Sequence, residues 1–221
     1  MLRISVDAKA TVKVGPFARG GKSRIPTHAV DHDFHPAATV TPLGLFVPSL
    51  DELFLYGITS KVTSDCVVDC LERWWKTEQE RFEHISMLVL NLDNGPENHS
   101  RRTQFMHRLV EFVERTGLVV RLAYYPPYHS KYNSVERCWG ILENHWNGAL
   151  LDSIEAVLQF AASMRWKGQH PVVELITTTY VSGVKLTKEA MALVEAKLTR
   201  LPDLGKWFVD IVPTVPRCRT T

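Results

Sequence analysis

The amino-acid sequence predicts an α/β fold, a mixed five-stranded sheet flanked by helices. Three segments with strand character lie within residues 1–58, before any helical pattern begins. From residue 64 onward, helical patterns with apolar residues three and four positions apart alternate with two short apolar runs. A meander followed by such alternation combines antiparallel with parallel strands in one sheet.

The first three strands are predicted from alternation and composition. Residues 4–10 alternate apolar with more polar side chains, and residues 39–47 and 53–58 are apolar and β-prone. Residues 15–36 are rich in Gly, Pro, Lys, Arg and His, which indicates a loop, and residues 48–51 are turn-like. We therefore expect these three strands to be antiparallel.

The next segments read as helix, strand and helix. A helix begins at Ser64, the expected N-cap, and residues 87–92 form a short apolar run of strand length. A second helix has its apolar side chains between residues 105 and 113 and ends before Gly117, a favourable C′ residue.

The remaining elements complete a ribonuclease H-like order, β-β-β-α-β-α-β-α. Residues 118–123 form the fifth strand, and a third helix runs from Ser134 to about Asn147. Two more helices are expected at residues 153–166 and 187–200, with a β-prone stretch at 172–180 between them. This divides the chain into a ribonuclease H-like domain, residues 1–150, and a C-terminal helical extension packed on it, residues 151–221.

Composition indicates a globular protein of the cytoplasm. The chain is 45% hydrophobic and 23% charged, and its net charge of +2 does not by itself indicate a nucleic-acid partner. Neither a signal peptide nor an apolar run of about 18 residues is found, so no membrane partner is expected. The cysteines form no CxxC pair, which favours reduced core residues; they are Cys66, Cys70, Cys138 and Cys218.

A strand that starts at residue 2 suggests a truncated gene or an internal start.

Three acidic residues lie where the predicted topology brings them together. Asp7 is on the first strand, Asp93 ends the fourth, and Glu136 is in the first turn of the third helix. The first and fourth strands are expected to be neighbours, and ligand sites in such sheets favour strand ends. Carboxylates are the ligands of Mg²⁺, and two ions held by such a cluster catalyse phosphoryl transfer.

Each acid also has a structural interpretation. An Asp at a strand end is commonly a turn or capping residue, and Glu136 could simply favour the positive end of its helix. Glu143, seven residues after Glu136 on the same helix face, is the rival for the third ligand.

The sequence motifs around these acids resemble those of a known protein family. Insertion-sequence DDE transposases have three acid motifs, and similar motifs occur here at residues 4–9, 91–98 and 124–140. From about residue 4 to 210 the sequence resembles the Rhodopirellula-type family, a relative of the mariner-like group. One departure is Ser134 in place of the usual Pro. Because serine is a good N-cap, the helix should still start there.

The resemblance implies that Asp7, Asp93 and Glu136 are a catalytic metal-binding triad. It implies Mg²⁺ dependence, with two ions and Mn²⁺ as a substitute, hydrolysis at transposon ends and strand transfer into target DNA. A homodimer or higher assembly on DNA is expected. Relatives carry a helix-turn-helix region before the catalytic domain, and nothing in this sequence matches it.

DNA contacts are expected from two groups of residues near the triad. A solvated loop is the alternative for the first group, and phosphate binding is the functional interpretation. The expected contacts are Lys9, Lys22 and Arg24 in the first group, and His129, Lys131 and Tyr132 before Glu136 in the second.

Two other sites are not expected. Gly21-Lys22-Ser23 ends like a P-loop, but Pro16 stands where its first glycine is required, so no nucleotide cofactor is predicted. A group of histidines and aspartates lacks a cysteine partner and does not predict zinc; it comprises His28, Asp31, His32, Asp33 and His35.

The sequence thus predicts the catalytic domain of a DNA transposase. The first alternative is a truncated, catalytically inactive remnant that acts at most as an interaction module. The second is a different ribonuclease H-like nuclease, such as a junction resolvase.

Overall fold

The computed structural model describes residues 1–23, 25–30, 35–126 and 132–217. The strands are β1 Leu2–Ala8, β2 Val12–Val14, β3 Ala38–Val47, β4 Glu52–Ile58, β5 Met87–Leu92, β6 Val119–Tyr124, β7 Val172–Ile176, β8 Leu198–Arg200 and β9 Phe208–Ile211. The helices are α1 Ser64–Glu78, α2 Thr103–Thr116, α3 Ser134–Trp146, α4 Ile154–Ser163 and α5 Lys188–Glu195.

The five predicted strands form the centre of one mixed sheet, which confirms the fold class. The sheet order is β7-β4-β3-β1-β5-β6-β9-β8, and β2 pairs with β3. Strand β3 is antiparallel to both β1 and β4. Strand β5 is parallel to β1 and to β6, so the first and fourth predicted strands are neighbours as expected.

The sheet has more strands than the five predicted, because the C-terminal part extends both of its edges. Strand β7 pairs parallel with β4, and β9 pairs antiparallel with β6. The predicted helix at 187–200 ends at Glu195, and Leu198–Arg200 instead pairs with β9. These additions satisfy backbone groups that would otherwise line exposed sheet edges.

The first helix begins one residue earlier than expected. Its N-cap is Thr63, whose side chain accepts a hydrogen bond from the Cys66 backbone N–H (3.3 Å). Ser64 instead donates its hydroxyl to the Glu97 carbonyl (2.7 Å). Ser64, the predicted N-cap, therefore connects α1 to the loop after β5 by a hydrogen bond.

Two hydrophobic cores lie on opposite faces of the sheet. Ile4 and Val6 face the core formed with α1 and α2, whereas the core on the other face includes residues of α3 and α4. Cys66 and Cys70 are free, fully buried members of the first core, as expected, and Cys138 is a free, fully buried member of the second. Cys218 lies outside the described residues. Among the described helices, none is both long and apolar enough to span a membrane.

Strand β9, which lies between β6 and β8, should contribute to stability through burial. Ile211 is fully buried, whereas its neighbour Val212 is 50% exposed. We expect Ile211→Ala to lower the free energy of unfolding by about 2–5 kcal/mol, because it leaves a cavity in the core. Val212→Ala, the matched control, should change it by less than about 0.5 kcal/mol. Urea unfolding measures both, and equal effects would show that β9 is not part of the core.

Candidate active site

The strand register sets Asp7 beside Asp93. In the parallel pair of β1 and β5, Ser5 lies opposite Asn91, a separation of 91 − 5 = 86 residues. The two aspartates are separated by the same number, 93 − 7 = 86; Asp7 lies in β1 two positions after Ser5, and Asp93 directly follows the end of β5. Because side chains alternate between the two faces of a sheet, both aspartates lie on the same face as Ser5, and Ile4 and Val6 lie on the other face. The carboxyl ends of two parallel strands therefore present both carboxylates together.

A buried polar contact fixes the start of α3 on β1. The Ser5 hydroxyl donates to Asn133 Oδ1 and accepts from the Val135 backbone N–H (3.0 Å). Asn133 Nδ2 donates to the Val6 carbonyl (3.1 Å). Because Ser5 and Asn133 are at most 1% exposed, these bonds form away from water, where an unpaired polar group is costly. They hold the first turn of α3, and with it Glu136, against the end of β1.

A glycine lets α3 approach the sheet closely enough to contact Asp7. Gly44 lies opposite Asp7 in the ladder of β1 and β3. A Cβ atom at Gly44 would lie 2.7 Å from the Trp139 ring and 2.8 Å from Val135 Cγ2. In that space, Trp139 Nε1 donates a hydrogen bond to Asp7 Oδ2 (2.8 Å). Trp139 therefore packs in the core and also orients the first carboxylate.

The turn after β5 holds Asp93. Asn94 adopts a left-handed conformation (φ 62°), which reverses the chain. Asp93 Oδ1 then accepts hydrogen bonds from the Gly95 backbone N–H (3.2 Å) and Asn98 Nδ2 (3.0 Å). The Asn98 carbonyl in turn accepts from the Tyr124 hydroxyl (2.7 Å). Asn98 thus orients the carboxylate in addition to shaping the turn.

Glu97, in the same turn, is held by hydrogen bonds to neighbouring elements. Its carboxylate accepts from Arg102 (3.0 Å) and from the Ser64 backbone N–H (3.3 Å). These bonds tie the turn to the starts of α1 and α2, so Glu97 supports the site and does not add a fourth free carboxylate.

The three acids interact electrostatically. Burial, the largest cause, together with the negative charges of Glu136 and Asp93, raises the pKa of Asp7 to about 7 despite the Trp139 hydrogen bond, which lowers it. Clustered carboxylates favour a neutralising cation. The charges of all three acids therefore act on one site.

The site's chemistry fits a hard divalent cation. Asp7, Asp93 and Asn98 line a cavity of about 260 Å³. Asn98 Oδ1 is buried there without a hydrogen-bond partner among the described residues, so an acceptor oxygen remains for a cation or its waters. No three His, Cys, Asp or Glu side chains in the described part of the chain are close enough to hold a metal ion as they stand. The site is an open set of oxygen donors.

Glu143, the rival third ligand, is paired elsewhere. Its carboxylate lies 2.6 Å from Lys9 Nζ and 3.5 Å from Arg19. Burial would raise the pKa of Glu143, but the Lys9 hydrogen bond and the charges of Lys9 and Arg19 hold it below its usual value. Glu136 and not Glu143 is the helix acid whose charge acts on Asp7.

The expected DNA contacts lie in different settings. The Lys9 side chain is only 14% exposed because of its pairing with Glu143. Lys22 is exposed in a loop packed against Gly148, and Tyr132 is exposed one residue before Asn133. Arg24, His129 and Lys131 lie outside the described residues, as do Asp31, His32 and Asp33 of the histidine-rich group.

Sequence reasoning missed Trp139, Ser5 and Gly44 as residues that position the three acids. Trp139 follows Glu136 by three positions, and this spacing could have indicated a shared helix face. Ser5 and Gly44 carry no comparable signal, because their roles depend on strand register and on the approach of α3.

Without metal, Asp7 should make stability depend on pH. Its raised pKa means that the folded state binds the proton more tightly than the unfolded state. Its stabilisation is therefore complete below about pH 4 and is lost as pH rises towards 7. At about 1.4 kcal/mol per tenfold change in proton affinity, the free energy of unfolding should fall by up to about 3 kcal/mol more in the wild type than in Asp7→Asn between pH 5 and pH 8. Urea unfolding with a chelator measures this, and parallel profiles would contradict it.

Comparison with known proteins supports the fold. Two solved structures, described as "Mos1 transposase paired-end complex with left transposon end" and "Crystal structure of the Mos1 mariner paired end complex with Mn", each match with a TM-score of 0.52. Each is 12% identical and is matched over 72% of this chain and 46% of its own. The chain thus spans about half the length of these structures. At this identity the likeness shows the ribonuclease H-like fold.

The sequence itself matches a family model, described as the Rhodopirellula transposase DDE domain, over residues 2–213. No curated protein matches the chain. Because the family match covers nearly all of the 221 residues, the chain belongs to the Rhodopirellula transposase DDE domain family.

Proposed function

We propose that this chain is the catalytic domain of a DNA transposase, which hydrolyses phosphodiesters at transposon ends and transfers the freed strands into target DNA. The observation that carries the proposal is the register of β1 and β5, which sets Asp7 beside the strand end that Asp93 follows, and the charges of Asp93 and Glu136 act on the Asp7 carboxyl. In this proposal residues 1–150 hold the catalytic machinery, and residues 151–221 extend and support the sheet.

The three carboxylates would hold the divalent cations, two Mg²⁺ ions for which Mn²⁺ can substitute. When bound, the cations supply charge neutralisation and polarisation of the attacked phosphodiester. Trp139 and Asn98 each hold one carboxylate oxygen by a hydrogen bond, which limits the rotation of the two aspartates. A water and later a 3′-hydroxyl are the attacking groups, positioned by the same carboxylates.

The partners of the proposed enzyme follow from its chemistry. The matched structures are described as paired-end complexes, one with a left transposon end. By analogy, we propose that this chain binds transposon ends and target DNA as a homodimer or higher assembly, in the bacterial cytoplasm and without a nucleotide cofactor.

An inactive remnant is the less favoured alternative. All three acids are present, and their supporting hydrogen bonds are complete on Asp7 and Asp93. The arrangement that the catalytic proposal requires of these two aspartates is thus present in this chain.

Metal binding should depend on all three acids and not on Glu143. Calorimetric titration with Mn²⁺ should show binding to the wild type that is weakened at least about tenfold in Asp7→Asn, Asp93→Asn and Glu136→Gln, because each removes a charged ligand. Glu143→Gln is the matched control on the same helix and should bind like the wild type. Loss of binding in Glu143→Gln alone would make Glu143 the third ligand. A folded wild type that binds no Mn²⁺ would favour the inactive remnant.

Strand cleavage should fail without Asp93. Mn²⁺-dependent nicking of supercoiled plasmid should be abolished in Asp93→Asn, because the amide keeps the shape of the carboxylate but not its charge. Circular dichroism should show an unchanged fold. If the variant nicks the plasmid at the wild-type rate, Asp93 is not a catalytic residue and the proposed site is wrong.

A further inference from the structure

A second, positively charged cavity lies beside the candidate active site. Its volume is about 400 Å³, and its walls are the start of α2, one side of α5 and the connection from β8 to β9. Three basic side chains line it, those of Arg101, Arg200 and Lys206, against one acid, Glu195. The proposed catalytic chemistry uses none of these residues.

Arg200 fixes the shape of this cavity. Its guanidinium donates to the Ser100 carbonyl (2.9 Å) and to the Gly205 carbonyl (3.3 Å), and it pairs with the Glu195 carboxylate (2.5 Å). A Cβ atom on Gly205 would lie 2.9 Å from Arg200 Cβ, so glycine allows the connection to fold closely over the arginine. Arg200 therefore braces the wall, and Glu195 balances its charge.

The other two basic residues are left with unbalanced charge. Arg101 and Lys206 are exposed, and neither forms an ion pair with an acid of the described part of the chain. Lys206 Nζ lies 4.8 Å from the centre of the Trp207 ring, a contact that keeps the ammonium near the cavity. Asp203, the acid of the same connection, is exposed and does not line the cavity.

Tyr124 separates this cavity from Asp93. Its hydroxyl donates to the Asn98 carbonyl, and Asn98 in turn donates to Asp93. Its backbone N–H donates to the Trp207 carbonyl (2.9 Å), which joins the β8–β9 connection to the same residue. In agreement, the charges of Arg200 and Asp93 both act on the Tyr124 hydroxyl, whose pKa is raised mainly by burial. Tyr124 therefore links the connection that carries Lys206 to the turn that holds Asp93.

We propose that Arg101 and Lys206 bind a backbone phosphate of the DNA strand that enters the candidate active site, next to the phosphodiester that is cut. The inference rests on the proposed function and adds a DNA-binding site to it. A guanidinium can bind a phosphate through two parallel hydrogen bonds, and an ammonium adds a point charge. Helix α2, which starts at this cavity, has no acid in its first turn that would repel the phosphate.

The test measures the salt dependence of DNA binding. Fluorescence anisotropy would follow a labelled duplex of about 30 base pairs, with chelator present so that no strand is cut. Each phosphate contact contributes about 0.9 to the slope of log affinity against log salt concentration. Because both residues bind one phosphate, we expect Arg101→Ala and Lys206→Ala each to reduce the slope by up to about 1, and the double variant by about 1. The control is Lys76→Ala, an exposed lysine at the far end of α1, which should leave the slope unchanged.

The outcomes distinguish this site from the proposed function. An unchanged slope in the double variant, or an equal loss in Lys76→Ala, would overturn the phosphate site. So would a wild type that binds no duplex, whereas Mn²⁺ calorimetry on the triad decides the catalytic proposal independently. If the double variant loses only the calorimetric binding of inorganic phosphate and keeps its DNA affinity, the site binds free phosphate and the DNA contact is overturned.

Discussion

The candidate site depends on one buried polar contact, between Ser5 on β1 and the start of α3. A helix can pack on a sheet at several rotations and offsets, and apolar contacts alone choose weakly among them. The Ser5 hydroxyl and the Asn133 side chain form their hydrogen bonds in a single arrangement, and both are shielded from water. Any shift of α3 would leave buried polar groups unpaired, so the contact selects the one placement in which Glu136 and Trp139 reach the end of β1.

Much of this arrangement could be predicted from the sequence, because it follows from local patterns. The alternation in β1, the apolar run of β5 and the sharp stop at Asp93 identify two strands whose ends carry acids. Parallel pairing then brings Asp7 next to Asp93. What could not be predicted depends on contacts between distant segments. Spacing alone does not separate Glu136 from Glu143, because both lie on one face of α3; only the family resemblance favours Glu136. It is the pairing of Glu143 with Lys9 and Arg19 that separates their environments.

The C-terminal strands could not be predicted from the sequence either, because they also depend on contacts between distant segments. Strands β8 and β9 have three and four residues, too few for alternation to stand out from the helical pattern before them. They form because β6 would otherwise be an unpaired edge of the sheet, which is a property of the assembled structure. Their connection also carries Lys206 to the side of the candidate site. A segment that looks like an accessory in the sequence thus forms one wall of the proposed phosphate site.

The close fit of Trp139 over Gly44 has a consequence for how copies of such a gene decay. A single nucleotide change converts a glycine codon to an alanine codon, and the added methyl group at residue 44 would push against Trp139 and Val135. The carboxylates would all remain in the sequence, but the helix that presents Glu136 would no longer reach its place. A domain with this substitution would therefore keep all three acids and lose the arrangement that the proposed chemistry requires.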